Sequence, residues 1–203
     1  MSHPFQLMSR STRRLVLWIS SIGTAVMFLT IWLVGRPLIT PAAPLGIVSF
    51  ELAGEPFIVR SILGGWGQSG QIRAGFSLGL DSLFLICYST LLVAGCTWTA
   101  EWIRIGNRFP RSATKILAGA VEVLMWGQWI AAIFGLTEDY ILLSILLGGG
   151  MQWARWARLC AEAKYALAGT ALLIVVLSAY MEQLKVLLLL EKRLGSRTRP
   201  AKA

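Results

Sequence analysis

The sequence predicts an all-α integral membrane protein: a four-helix bundle with short interfacial amphipathic helices on the outer face. Three observations carry that reading. Of 203 residues, 56% are hydrophobic and only 14% charged, where soluble domains carry about a quarter charged residues. The mean hydropathy is +0.65, and nine residues are Trp. Four apolar stretches, at about 15–34, 76–96, 113–136 and 164–185, are each long enough to cross roughly 30 Å of hydrocarbon as a helix.

Residues 1–14 form a basic tail ending in Arg10, Arg13 and Arg14. The first span, 15–34, has a longer apolar run than a signal-peptide core of roughly 7–15 residues, so it reads as an uncleaved anchor. Residues 35–75 form an outer loop, opened by Pro37, Pro41 and Pro44, which forbid a continuous helix. Within it, Phe50 to Leu63 has apolar residues at helical spacing, broken by Gly54 and Pro56. This predicts short interfacial helices with Trp66 as a headgroup-level anchor. Glu51, Trp66 and, further on, Trp153 are candidate outer-face contacts.

The second span carries a carboxylate, Asp81, and begins with Gly75 and Gly79 in the spacing that permits close helix approach. A connection with Arg104, Arg108, Arg111 and Pro110 leads to the third span, which contains Glu122 and Gln128. Residues 140–163 read as an interfacial segment. Within it, Ile141 to Leu147 is too short to span and is broken by Gly148, Gly149 and Gly150. Met151 to Ala163 reads as an amphipathic helix with Arg158 and Glu162 at i,i+4, leading directly into the last span. The single membrane domain, 15–190, ends in a basic tail, 191–203, expected to be disordered.

An even number of spans puts both termini on one side. Arg36, Arg60, Arg73, Arg155, Arg158 and Lys164 fall on the opposite side, leaving the other 13 of the 19 basic residues with the termini. The positive-inside rule then places both termini in the cytoplasm. It also accounts for the net charge of +9 without nucleic acid as a partner.

Buried polar residues are the candidate site. Asp81 lies roughly 8 Å below the outer boundary, where Lys164 begins the last span, so the two are expected to form an outer ion pair. Glu122 lies roughly 14 Å from the inner end of its span. Thr24, Tyr88 and Ser178 fall at about that depth, which predicts a midplane layer of one carboxyl with hydroxyl partners. No metal site or cofactor is indicated. The only His is His3, and Cys87, Cys96 and Cys160 show no CxxC spacing.

GIVSFELAG, FSLGLDSLFLICY and the CAEAK run that opens the last span resemble a set of uncharacterised bacterial four-span inner-membrane proteins. The resemblance covers about Leu45 to Ser178. It implies a bacterial inner-membrane location and no particular activity, and marks Glu51, Asp81, Tyr88, Glu122 and Lys164 for mutation.

Three functions compete. The first is a non-enzymatic accessory or assembly subunit, with the lipid bilayer and a membrane-protein complex or a homo-oligomer as partners. The second is a small transporter or lipophilic-ligand-binding protein using Glu122 and the Asp81–Lys164 pair. An intramembrane enzyme ranks last, because the spans hold no His and the chain has no HExxH or GxSxG motif.

Overall fold

The computed structural model describes residues 4–105 and 110–197, and within them the protein is all-α. His3, Arg108, Arg199 and Lys202 lie outside the described residues. A short helix α1 (Pro4–Leu7) precedes α2 (Arg10–Gly35), whose first turn is capped by the Ser9 hydroxyl accepting from the Thr12 backbone N–H. A strap then holds one 3-10 turn, Arg36–Leu38, and helix α3 (Ile47–Glu51). Three long helices follow: α4 (Pro56–Ile105), α5 (Arg111–Leu146) and α6 (Ala154–Arg197). Four helices are long and apolar enough to cross a membrane, and the protein is an integral membrane protein on that ground. One end of the bundle carries the termini (the tail end); the other carries the 36–55 strap and the α5–α6 turn (the loop end).

The helices outrun their apolar stretches. Helix α4 begins at Pro56, inside what reads as loop in the sequence, and is bent at Gly67, whose φ of 58° only glycine adopts readily. Across the bend the Gln71 side-chain amide donates to the Leu63 carbonyl at 3.0 Å. That side-chain bond links the two arms of the bent helix and helps the bend persist in an apolar setting.

Helix α5 does not stop at Leu136. It runs unbroken through the 141–146 segment expected to be a separate interfacial or re-entrant piece. The two charges at 138 and 139 look like a span end in sequence, but both side chains are buried. Gly148, with φ of 93°, turns the chain instead. Residues 154–163 are the first turns of α6, and its helix continues through residues 191–197, expected to be a disordered tail.

Among the described residues two larger hydrophobic cores fill the bundle, and a small third one, Phe5, Val93 and Ala94, seats α1 on α4. At the loop end, Leu38, Phe50, Val59, Ile62, Trp66, Leu78, Leu142, Ile145, Ala154 and Ala157 pack together. Trp66 is only 6% exposed. Its indole N–H donates to the Leu38 carbonyl at 2.8 Å and its ring meets Phe50 edge-on at 5.5 Å. It pins the strap to α4 from inside, rather than anchoring to headgroups as expected. Gly54 helps close the strap: a Cβ there would stand 2.7 Å from Arg158 Cδ. At the tail end, Leu92, Cys96, Ala100, Val121, Met125 and Ala171 form the second core. Between the cores, fully buried Gln128 donates to the Leu124 and Leu167 carbonyls, both at 3.3 Å.

Candidate functional site: a buried lysine among four carboxyls

Helical spacing builds the site. On α6, Ala154, Ala157, Ala161, Lys164 and Ala171 are all buried, at intervals of three, four, three and seven residues that keep one face inward. Four alanines flank the lysine, so the helix approaches its neighbours closely and its one long side chain crosses the interior. On α5 the inward face runs through Gln128, Ala131, Gly135, Glu138, Leu142 and Ile145. Gly135 leaves the room Lys164 needs. A Cβ there would stand 3.0 Å from Lys164 Cδ and 2.6 Å from Leu85 Cδ2.

Lys164 Nζ lies 2.8 Å from Glu138 Oε2, 3.5 Å from Asp81 Oδ2 and 3.8 Å from Glu51 Oε2. These carboxyls come from α5, α4 and α3, so a single ammonium ties the strap and two long helices to α6. Glu138 is fully buried, and Glu51 and Lys164 are 4% and 3% exposed. A fourth carboxyl, Asp139, is also buried and accepts from the Ser82 hydroxyl at 3.0 Å. The Tyr165 hydroxyl donates to Glu51 Oε2, and the Tyr165 ring lies 4.9 Å from Lys164 Nζ. Glu138 Oε1 and Asp139 Oδ1 are buried with no hydrogen-bond partner among the described residues.

From the ends of α5 and α6, Glu138 and Lys164 lie about 12 and 15 Å in along the helix axes. The loop-end core stands over them, since Leu142 follows Glu138 by one turn and Ala157 precedes Lys164 by two. The cluster reaches the protein surface at its flanks: the Asp81 side chain is 18% exposed and Tyr165 42% exposed.

The charge count dictates what such a centre can do. One ammonium balances one carboxylate, and it stands among four carboxyl groups. Each uncompensated charge in so dry a site costs several kcal/mol, so the surplus carboxyls need further positive charge. Protons or a small cation supply it. Among the described residues no group of three or more His, Cys, Asp or Glu side chains is arranged to hold a metal ion. The point on which Glu51, Asp81 and Glu138 converge is already held by Lys164, so the geometry suits protons.

Of the residues singled out from sequence, Asp81, Lys164 and Glu51 come together here, with Glu51 buried in the interior rather than offered on an outer face. Trp153 is 53% exposed at the loop end. The midplane layer is not what Glu122 joins: its carboxylate pairs with Arg104 at 2.5 Å and its side chain is 24% exposed. Arg104, one residue from the end of α4, has a side chain long enough to reach back along the bundle. Ser178 donates to the Ile174 carbonyl of its own helix at 2.8 Å, Thr24 Oγ1 is buried without a hydrogen-bond partner among the described residues, and the Tyr88 ring packs on Phe84 at 5.1 Å. Of the GxxxG pair only Gly75 faces a neighbouring helix, a Cβ there meeting Leu143 Cδ1 of α5 at 3.8 Å, while nothing lies within 4 Å of a Cβ at Gly79.

Sequence reasoning missed Glu138, Asp139, Ser82 and Tyr165. The signal for Glu138 was present: Gly135, Glu138, Leu142 and Ile145 keep one helical face across the charged pair, and apolar residues resume at Ile141. Tyr165 adjoins Lys164 in sequence, but its partner Glu51 is 114 residues away. Comparison with known protein families, with curated proteins and with solved structures finds no match.

Proposed function

We propose that this is a small proton-translocating protein of a bacterial inner membrane, both termini cytoplasmic, and that the Lys164 centre is its proton-binding site. One observation carries the reading. Three carboxyls lie within 4 Å of a single buried ammonium, a fourth, Asp139, is buried next to Glu138 in the chain, and Glu138 Oε1 and Asp139 Oδ1 have no hydrogen-bond partner among the described residues. Ionisable groups within a membrane span are costly and mark ion or proton paths. Asp81 and Tyr165, where the cluster meets the surface, are the points of proton exchange, and Glu138 is the acceptor at its centre. The basic charge on the termini and on the 104–115 segment supports the orientation.

Proteoliposomes loaded with a pH-sensitive dye, with potassium and valinomycin clamping the potential, test this. The wild-type protein should collapse an imposed pH gradient faster than empty liposomes do. Glu138→Gln, once shown to elute as a single peak like the wild type, should slow that collapse. A wild-type rate equal to that of empty liposomes overturns the reading.

A second reading, the accessory subunit, is favoured by α2. Only 6% of its apolar span is buried in the bundle, against 33% for α4 and for α5. Trp18 and Trp32 on it are 67% and 48% exposed. Native mass spectrometry of the gently extracted protein tests it, since a stoichiometric protein partner is then required.

A further inference from the structure

Far from Lys164, at the tail end, α1, α2, α4 and α6 enclose an open cleft of about 860 Å³. Its lining is ordered along the bundle axis. On α2, Arg10, Arg13 and Arg14 stand above Leu17; on α4, Glu101 stands above Trp98, Thr97, Gly95 and Ala94; Val175 and Ala179 of α6 complete the apolar depth. Arg13 is tied to Glu101, an ion pair that holds α2 to α4 and sets the width of the mouth. Among the described residues, Arg10 and Arg14 have no carboxylate at ion-pair distance. The floor is tight where α4 and α6 meet, since a Cβ on Gly95 would stand 2.9 Å from Val175 Cγ1. The cleft is therefore cationic at its mouth and hydrocarbon-like below, within reach of the membrane.

We propose that this cleft binds one anionic phospholipid, its phosphate between Arg10 and Arg14 and the upper part of an acyl chain along the Gly95–Val175 floor. The two arginines supply the charge complementarity, and guanidinium groups hold phosphate oxygens in paired hydrogen bonds. Basic pockets between transmembrane helices are suited to such headgroups. A zwitterionic lipid brings its own cation to the arginines and gains less. A free phosphate would leave the apolar floor empty. The cleft shares no residue with the Lys164 centre, so the proposal stands apart from proton translocation.

The test is native mass spectrometry of the full chain in detergent with added phosphatidylglycerol, phosphatidylcholine or glycerol phosphate. The wild type should retain one phosphatidylglycerol and release the other two. The double variant Arg10→Gln/Arg14→Gln should retain it roughly thirtyfold less. Ala179→Trp, at an exposed position that fills the cleft without touching its charge, should lose it as well. Arg111→Gln/Lys115→Gln, which removes two charges from the same end outside the cleft, should keep it. Equal retention of phosphatidylcholine, undiminished binding in the cleft variants, or equal loss in the Arg111/Lys115 control each overturns the site. Retention of glycerol phosphate as strong as that of the lipid overturns the lipid as occupant.

Discussion

Lys164 Nζ lies 2.8 Å from Glu138 Oε2, and Glu138 has no exposed surface. This pair joins α5 to α6 at the heart of the polar centre, where Glu51 and Asp81 also arrive. Removing the lysine strands carboxyls that have no other cation at ion-pair distance among the described residues. Lys164→Met should therefore cost about 3–5 kcal/mol, the range for breaking a buried pair from one side. Lys164→Met/Glu138→Leu should recover part of that loss, because it removes one stranded carboxyl as well. Unfolding in mixed detergent micelles, taken as a double-mutant cycle, gives the coupling directly.

The strap is held by Glu51 as well as by packing. Tyr165→Phe deletes the phenol that donates to Glu51 while keeping the ring, and should cost about 1–3 kcal/mol. Its sharper effect is local. Hydrogen exchange at 47–53 should quicken, whereas exchange in the α5–α6 tail-end core should not. Uniform quickening across the chain would show that this bond does not act on the strap.

Gly135 and Gly79 are both helical glycines in apolar surroundings, yet they predict opposite outcomes. Gly135→Ala drives a methyl against Leu85 and the stem of Lys164; such overpacking costs about 1–3 kcal/mol. Gly79→Ala meets nothing within 4 Å and should be neutral or stabilise by up to about 1 kcal/mol through helix propensity. Thermal unfolding of the two variants in one detergent compares them.

Glu122 pairs with Arg104 at a half-exposed position, and exposed pairs contribute about 0–1 kcal/mol. Glu122→Gln should leave unfolding and proton flux close to wild type. A flux lost in Glu122→Gln but kept in Glu138→Gln would return the working carboxyl to the middle of α5.

Gly67 carries the bend in α4. Gly67→Ala must hold φ near 58°, which costs about 1–2 kcal/mol for a residue with a Cβ. Gln71→Leu leaves the Leu63 carbonyl without its side-chain donor and should cost about 1–3 kcal/mol. Both changes should loosen the packing of Trp66 on the strap, and faster hydrogen exchange at 36–55 reports it.

Composition and hydropathy are enough to define the class of object: all-α, with four stretches able to cross a bilayer. Transfer free energy sums along the chain, so hydropathy and length suffice for that. The sequence also put Asp81 and Lys164 within side-chain reach of one another near the outer boundary, because rise per residue is fixed. Where each helix ended was less legible. Charged residues at 138 and 139 look like a boundary when read one after another, yet α5 runs past them because other elements supply their partners.

The composition of the polar centre was decided only by the tertiary structure. Lys164 meets carboxyls that are 113, 83 and 26 residues away in the chain. Which of several acidic residues it reaches depends on how each helix is rotated about its axis and how closely small residues let the helices approach. Depth arithmetic carries no information on rotation. Hence Glu122, at a plausible depth, turned to Arg104 at the tail end. Glu51, read as a loop residue, was carried inward when Phe50 and Trp66 buried the strap against α4.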